Sequence, residues 1–330
     1  SAFIENKVSY SDFSDINGYG NYDEGRNKIE KIFATVLGCE DALVRPQIMS
    51  GTNALYITLS ALLKHGDTMI SLSGAPYDSL QEMIGISGDS SQSLKAAGVK
   101  YEQIELINDD FDDQMIIERL KEKNIKLVEI QRSRGYSHRK SLSIAKIERI
   151  IKKIREVNDE VIIMVDNCYG EFVETIEPSD VGADMVVGSL IKNPGGGLAL
   201  TGGYIAGRQD LIDKVSYRMT SPGIGGECGL TFGQTRSILQ GLFIAPKTVN
   251  GALKGAVLCG KAFELLGYDV CPGPEDLRSD IIQAVKLGSP EAMVAFCQGI
   301  QAAAPVDSQV TPLPWDMPGY EDQVIMAAGA

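Results

Sequence analysis

Val161-Ile162-Ile163-Met164-Val165-Asp166-Asn167 decides the fold: five apolar residues in a row, with no polar face, run into a carboxylate and an amide. A strand that is apolar on both sides belongs in a sheet covered from both sides, the setting of mostly parallel sheets. Just upstream, Ile144, Ile147, Ile150, Ile151 and Ile154 fall at helical spacing over residues 144–157. A helix followed by a buried strand is the unit of an α/β domain, and the same beat continues in both directions. Toward the N-terminus it predicts strands at 126–130, 101–106 and 68–72, helices at 114–123 and 79–84, and a helix at 52–64 that Ser50 caps and Gly66 stops. Toward the C-terminus, residues 184–188 and 197–206 read as two further strands.

Outside that body lie two pieces. Residues 1–44 form an arm, turn-rich at Asn17-Gly18-Tyr19-Gly20-Asn21-Tyr22, and a helix over 25–37. The α/β domain runs over 45–245, and Ala245-Pro246 marks the boundary of a smaller α+β domain over 246–330. That last piece reads as helices at 249–266, 277–285 and 291–303, a turn at Pro272-Gly273-Pro274, and a proline-rich stretch over 312–318. It stops shortly after Val324-Ile325-Met326, which reads as an incomplete domain.

Composition narrows the function classes. Of 330 residues, 31 are Lys or Arg and 44 are Asp or Glu, a net charge of -13, so a phosphate backbone is not the expected partner. No apolar run approaches the ~20 residues of a membrane span, and the start has neither the basic nor the apolar region of a signal peptide, which makes the cytoplasm the expected compartment. Cys39, Cys168, Cys228, Cys259, Cys271 and Cys297 are scattered without paired spacing and read as reduced thiols. With His65 and His138 the only histidines, no metal site is expected.

The chemistry concentrates where two strands end. Asp166 closes one, and Ser189-Leu190-Ile191-Lys192-Asn193-Pro194-Gly195-Gly196-Gly197 closes the next. Ligands of doubly wound sheets sit at such carboxyl ends. A carboxylate there can hold a protonated ring nitrogen, and a lysine can form a Schiff base with an aldehyde, while Ser189 and the amides of a helix start suit a phosphate. Taken singly, Asp166 reads more simply as a turn cap and Lys192 as a solvated side chain; on consecutive strand ends they read as a pair. Two rival patterns fit less well. Ser189-x-x-Lys192 matches the nucleophile and base of penicillin-binding proteins and class A beta-lactamases but lacks their companion motifs, and the glycines at 195–197 and 202–203 lack dinucleotide-site spacing.

The sequence resembles the fold-type I enzymes of pyridoxal phosphate, and within them the methionine gamma-lyase-like proteins often labelled aluminium resistance proteins, relatives of the cystathionine and methionine lyases. The matching stretches include Gly18-Tyr19-Gly20 with Arg26, Ser50-Gly51-Thr52, Pro76-Tyr77-Asp78, Ile130-Gln131-Arg132-Ser133, 165–172, 189–197, 218–223 and 317–322. The resemblance implies a mostly parallel central sheet covered by helices, pyridoxal phosphate as cofactor and an amino acid as substrate. It makes Lys192 the covalent anchor and base, Asp166 the partner of the ring nitrogen, and Tyr77 the stacking residue that protonates a departing thiol. Ser50, Gly51, Thr52, Asn167 and Ser189 would contact the cofactor. Tyr19, Tyr22 and Arg26 would reach the phosphate of a neighbouring subunit, so that a dimer or dimer of dimers shares its sites. Arg132, Arg218 and Ser221 are the candidate substrate contacts. The implied reaction begins with removal of the α-proton by Lys192, its pKa lowered by cationic surroundings and burial, and ends with β- or γ-elimination of a sulfur group.

Two departures qualify the match. Ser79 stands where the methionine lyases carry a cysteine, and Cys168 is no equivalent. The arginine that the family places late in its C-terminal domain for the substrate carboxylate is missing from this sequence. The alternative to catalysis is a protein that keeps the fold for a metal-tolerance or interaction role, with 108–113 as an acidic stretch.

Overall fold

A computed structural model describes residues 1–330 apart from Lys123, Pro318, Gly319, Glu321 and 328–330, so the last residue of the helix expected at 114–123, part of the 317–322 match and the final residues lie outside the description. The elements, in chain order, begin with α1 (Ala2–Glu5), α2 (Glu24–Leu37), β1 (Asp41–Arg45), α3 (Gly51–Leu62), β2 (Thr68–Ser71) and α4 (Asp78–Ile84). There follow β3 (Lys100–Gln103), α5 (Asp113–Leu120), β4 (Ile125–Gln131), α6 (Ile144–Val157), β5 (Ile162–Asp166), β6 (Met185–Ser189) and β7 (Gly203–Gly207). The chain continues with α7 (Gln209–Met219), α8 (Thr235–Leu265), the hairpin of β8 (Asp269–Cys271) and β9 (Ala284–Lys286), and α9 (Pro290–Ala303).

Among the described residues seven strands form one sheet in the order β1-β7-β6-β5-β4-β2-β3. The pairs β6·β5, β5·β4, β4·β2 and β2·β3 are parallel, and β7 alone runs against both of its neighbours. This is the mostly parallel α/β sheet that the apolar strands imply. Side chains alternate across it. Val44, Ile70, Val128, Ile130, Ile163, Val165 and Val186 face the layer of α2, α5, α6 and α8. Leu43, Met69, Leu127, Ile162, Met164, Met185 and Val187 face α3, α4 and α7.

Three expectations need correction. Residues 41–45 are not part of an arm but an edge strand, because Leu43 and Val44 each have a core to enter. The helix expected over 249–266 starts at Thr235 and runs through Pro246; Leu242, Ala245 and Val249 are all buried, and that packing carries the helix across the missing N–H. Residues 277–285 form no helix: Asp280 accepts from the Arg134 and Ile282 amides, and 284–286 pair with β8.

Candidate active site

Parity sorts the candidate residues before any contact is considered. Ser71, Glu129, Gln131, Asp166 and Ser189 lie an even number of positions from strand residues that face α3, so they share that face. Arg132 and Asn167 lie one position on and face the other way. The site therefore lies on the α3 side, at the carboxyl ends of β2, β4, β5 and β6.

Helix α3 starts against those ends. The Ser50 hydroxyl accepts from the Asn53 amide at 3.0 Å as a side-chain cap, which leaves the Gly51 and Thr52 amides without an intrahelical acceptor. A Cβ added to Gly51 would stand 3.3 Å from both Cys168 Sγ and Ser189 Cβ, so the helix start meets β5 and β6 about as closely as glycine allows. Thr52 Oγ1 lies 2.9 Å from the Tyr77 hydroxyl and 3.3 Å from Ser79 Oγ. Burial, reinforced by Asp166, raises the Tyr77 phenol, which stays protonated and available as a donor.

Asp166 is buried, with Oδ1 accepting from the Cys168 amide at 3.1 Å. Burial raises its pKa, and Lys192 and the amide offset part of that. Lys192 follows β6 at the head of a short turn over Asn193–Gly195, and its Nζ lies 4.2 Å from the centre of the Tyr169 ring. Burial alone would lower the Lys192 pKa, but the acidic groups around it, Cys168, Tyr169, Asp166 and Tyr77, outweigh burial and raise it. The lowered pKa expected from cationic surroundings is therefore corrected. Burial keeps the thiol of Cys168 and the two phenols protonated, which leaves Asp166 as the carboxylate among these groups.

This donor set suits pyridoxal phosphate. A buried carboxylate, an amine beyond the neighbouring strand end, an aromatic hydroxyl and two helix-start amides without an intrahelical acceptor gather where Gly51 meets Cys168 and Ser189.

Other expected residues are placed differently. The Asn167 side chain is committed on the opposite face, accepting from Arg132 at 2.8 Å and donating to Glu177 at 2.9 Å, so it does not reach the cofactor space. Arg132 is fully buried between Glu174 at 3.1 Å and Glu177 at 3.3 Å; it braces Asn167 and offers no substrate contact. Arg26 spends its donors on the carbonyls of Gly20, Gly229 and Glu227 and on Asn27, so it is a tie within its own chain rather than a free phosphate ligand. Arg218 is exposed with Nε 3.1 Å from Ser60, nine residues along α3 from Gly51 and so about 13 Å away by helical rise. The Ser221 carbonyl closes a turn with the Ile224 and Gly225 amides. Tyr19 and Tyr22 are exposed. Neither Tyr169 nor Gln131 is among the candidate site residues read from sequence: Tyr169 is three residues past Asp166, a signal the sequence holds, whereas Gln131, inside a matching stretch, meets Asp166 only through the pairing of β4 and β5.

Comparison with known proteins fits this geometry. The family profile for methionine gamma-lyase matches residues 1–330. The YnbB protein of Bacillus subtilis is 46% identical over 329 residues, covering 99% of this chain and 78% of its own length. A structure from Clostridium novyi, described as a carbon-sulfur lyase involved in aluminum resistance, is 48% identical and superposes with a TM-score of 0.95 over 100% of this chain and 78% of that one. One from Clostridium acetobutylicum, provisionally described as a cystathionine beta-lyase involved in aluminum resistance, is 49% identical with a TM-score of 0.95, covering 99% and 77%. A methionine gamma lyase from Micromonospora echinospora, 20% identical with a TM-score of 0.57 over 74% of this chain and 59% of its own, shares the fold. A profile match along the whole length, carried by a fold-type I sheet with Asp166 and Lys192 on adjoining strand ends, places the chain in the methionine gamma-lyase family.

Proposed function

We propose that this protein is a pyridoxal phosphate-dependent carbon–sulfur lyase that acts on a sulfur-containing amino acid by α-proton removal and β- or γ-elimination. The observation that carries the reading is the convergence of Asp166, Lys192, Tyr77 and the start of α3 on one face of the sheet. Bound there, the cofactor supplies an electron sink for the bond broken at the substrate α-carbon. Asp166 is placed to hold the proton on the ring nitrogen, and the Gly51 and Thr52 amides to hold the phosphate. Lys192 would be the base, and a cofactor held with its cationic ring nitrogen against Asp166 would offset the charge of that carboxylate near the amine. Tyr77, held protonated by burial, is placed to donate to the departing sulfur. The Ser79 hydroxyl beside Thr52 leaves this wall polar.

The visible spectrum of the purified protein tests this reading. A chromophore fixed by borohydride, and lost with Lys192→Ala, supports it, as does release of a 2-oxo acid from a sulfur amino acid. A colourless protein that takes up no added pyridoxal phosphate overturns it.

A further inference from the structure

Ser71 Oγ lies 2.7 Å from the Gly74 carbonyl and 2.8 Å from Glu129 Oε2. A hydroxyl has one proton to give, while a carbonyl and an ionised carboxylate both only accept. Both contacts are hydrogen bonds only if one partner brings a proton of its own, and Glu129 is the one that can. Its side chain is fully buried, and its other oxygen, Oε1, has no partner among the described residues. A charge there would be uncompensated inside the sheet.

We propose that Glu129 is a positioning residue that works as a neutral acid, donating to Ser71 so that Ser71 can hold the Gly74 carbonyl and fix the 73–77 loop that presents Tyr77. The rest of that loop is docked by groups that do not titrate. The Gln131 amide donates to Ser73 Oγ at 2.9 Å, the Tyr77 amide donates to Gln131 Oε1 at 3.0 Å, and the Gly74 amide donates to Ile104 O at 3.0 Å. Gly74 itself is in the left-handed region, with φ at 80°. Facing Glu129 are Ser71 from β2, Tyr101 from β3, Asp166 from β5 and Arg139 from the loop after β4. Burial lifts the carboxyl to about 8; Ser71 and Arg139 pull it down and Asp166 pushes it up. Once Glu129 ionises it can only accept, and the Ser71 hydroxyl turns its one hydrogen to the carboxylate. The Gly74 carbonyl then faces a lone pair, and the loop loosens.

The importance of Tyr77 rests on the lyase reading, but the relay can be measured without turnover. Hydrogen exchange of the peptide spanning 71–84, corrected for intrinsic rates, is followed well below and well above pH 8 in the wild type, Glu129→Gln and Ser71→Ala. The wild type is expected to lose protection by about tenfold above the transition. Glu129→Gln keeps its protection throughout, because its amide still donates to Ser71, and removes one protonated-carboxyl band from the infrared spectrum. Ser71→Ala is unprotected at every pH. A Glu129→Gln variant with the wild-type transition overturns the proposal, as does a Ser71→Ala variant with wild-type protection; the second test stands if the first variant fails to fold. A relay that behaves as expected in a protein that turns over no sulfur amino acid upholds the relay and overturns the lyase reading.

Discussion

Arg132 carries a full charge with no exposed surface, between two glutamates that return to it from 42 and 45 residues away. Breaking such a buried pair from one side leaves an uncompensated charge and costs about 3–5 kcal/mol. Arg132→Met is therefore expected to lower the thermal midpoint by roughly 10 °C. Calorimetry checks it, and an unchanged midpoint would return Arg132 to the list of substrate contacts. Glu171 is a buried carboxyl of the other kind. Its Oε1 accepts from the Tyr204 hydroxyl at 2.7 Å, Oε2 has no partner among the described residues, and burial lifts the group from 4.5 to about 8. Between those values the unfolded chain has released a proton that the folded chain retains, so stability falls as pH rises through that window. Glu171→Gln removes this contribution, and its denaturation midpoint should depend less on pH from 4.5 to 8 than that of the wild type. At this scale the sequence discloses groups that end strands. It exposes Asp166 and Lys192, because a strand end needs only local pattern to find. It hides the partners of Arg132 and Asn167, because they arrive through folding.

Of the four glycines in helix α8, Gly241 and Gly251 have surroundings that differ completely. A Cβ on Gly241 would stand within 2.1 Å of the Gly195 carbonyl, in the turn that follows Lys192, whereas a Cβ on Gly251 meets nothing within 4 Å. Alanine in an open helix interior gains about 0.5–1 kcal/mol over glycine. Gly251→Ala should therefore raise the thermal midpoint slightly, while Gly241→Ala should lower it and push the 193–197 turn away, reducing pyridoxal phosphate uptake. Equal effects from the two would show that α8 does not seat the lysine turn. Among the elements, α6 is legible to the residue, since all five of its isoleucines are buried and Ile147, Ile150, Ile151 and Ile154 enter one core. The 277–285 segment misleads for the opposite reason: Asp280 is claimed by the distant Arg134 amide, and that tie overrides local helical pattern. Pro246 misleads because the lost N–H bond and the ring's crowding cost the helix less than losing the burial on both sides of it.

On the scale of the molecule, the apolar surface is uneven. Met49 is 72% exposed and Ile191 62%, next to Ser50 and Lys192 in sequence, and Leu200 is 76% exposed in the segment between Lys192 and β7. Tyr19 and Phe232 lie on the neighbouring segments, which are joined to this edge where Gln47 donates to the Leu230 carbonyl at 2.7 Å and Gly229 donates to Tyr19 O at 2.9 Å. Large side chains left bare around the candidate site favour an interaction surface over an ordinary solvated face. A second copy of the chain is the occupant we propose, with Tyr19 and Tyr22 as the arm that reaches across; Arg26, already committed to its own carbonyls, anchors that arm instead of extending it. Closed twofold symmetry would bring the same patch from each copy together. Sedimentation should then show a dimer or larger species for the wild type and a shift toward monomer for Leu200→Glu combined with Phe232→Glu, with turnover falling alongside. A wild type that sediments as a monomer while cleaving a sulfur amino acid would mean that one chain completes the site alone, and Tyr19 and Tyr22 would then lose their assigned role.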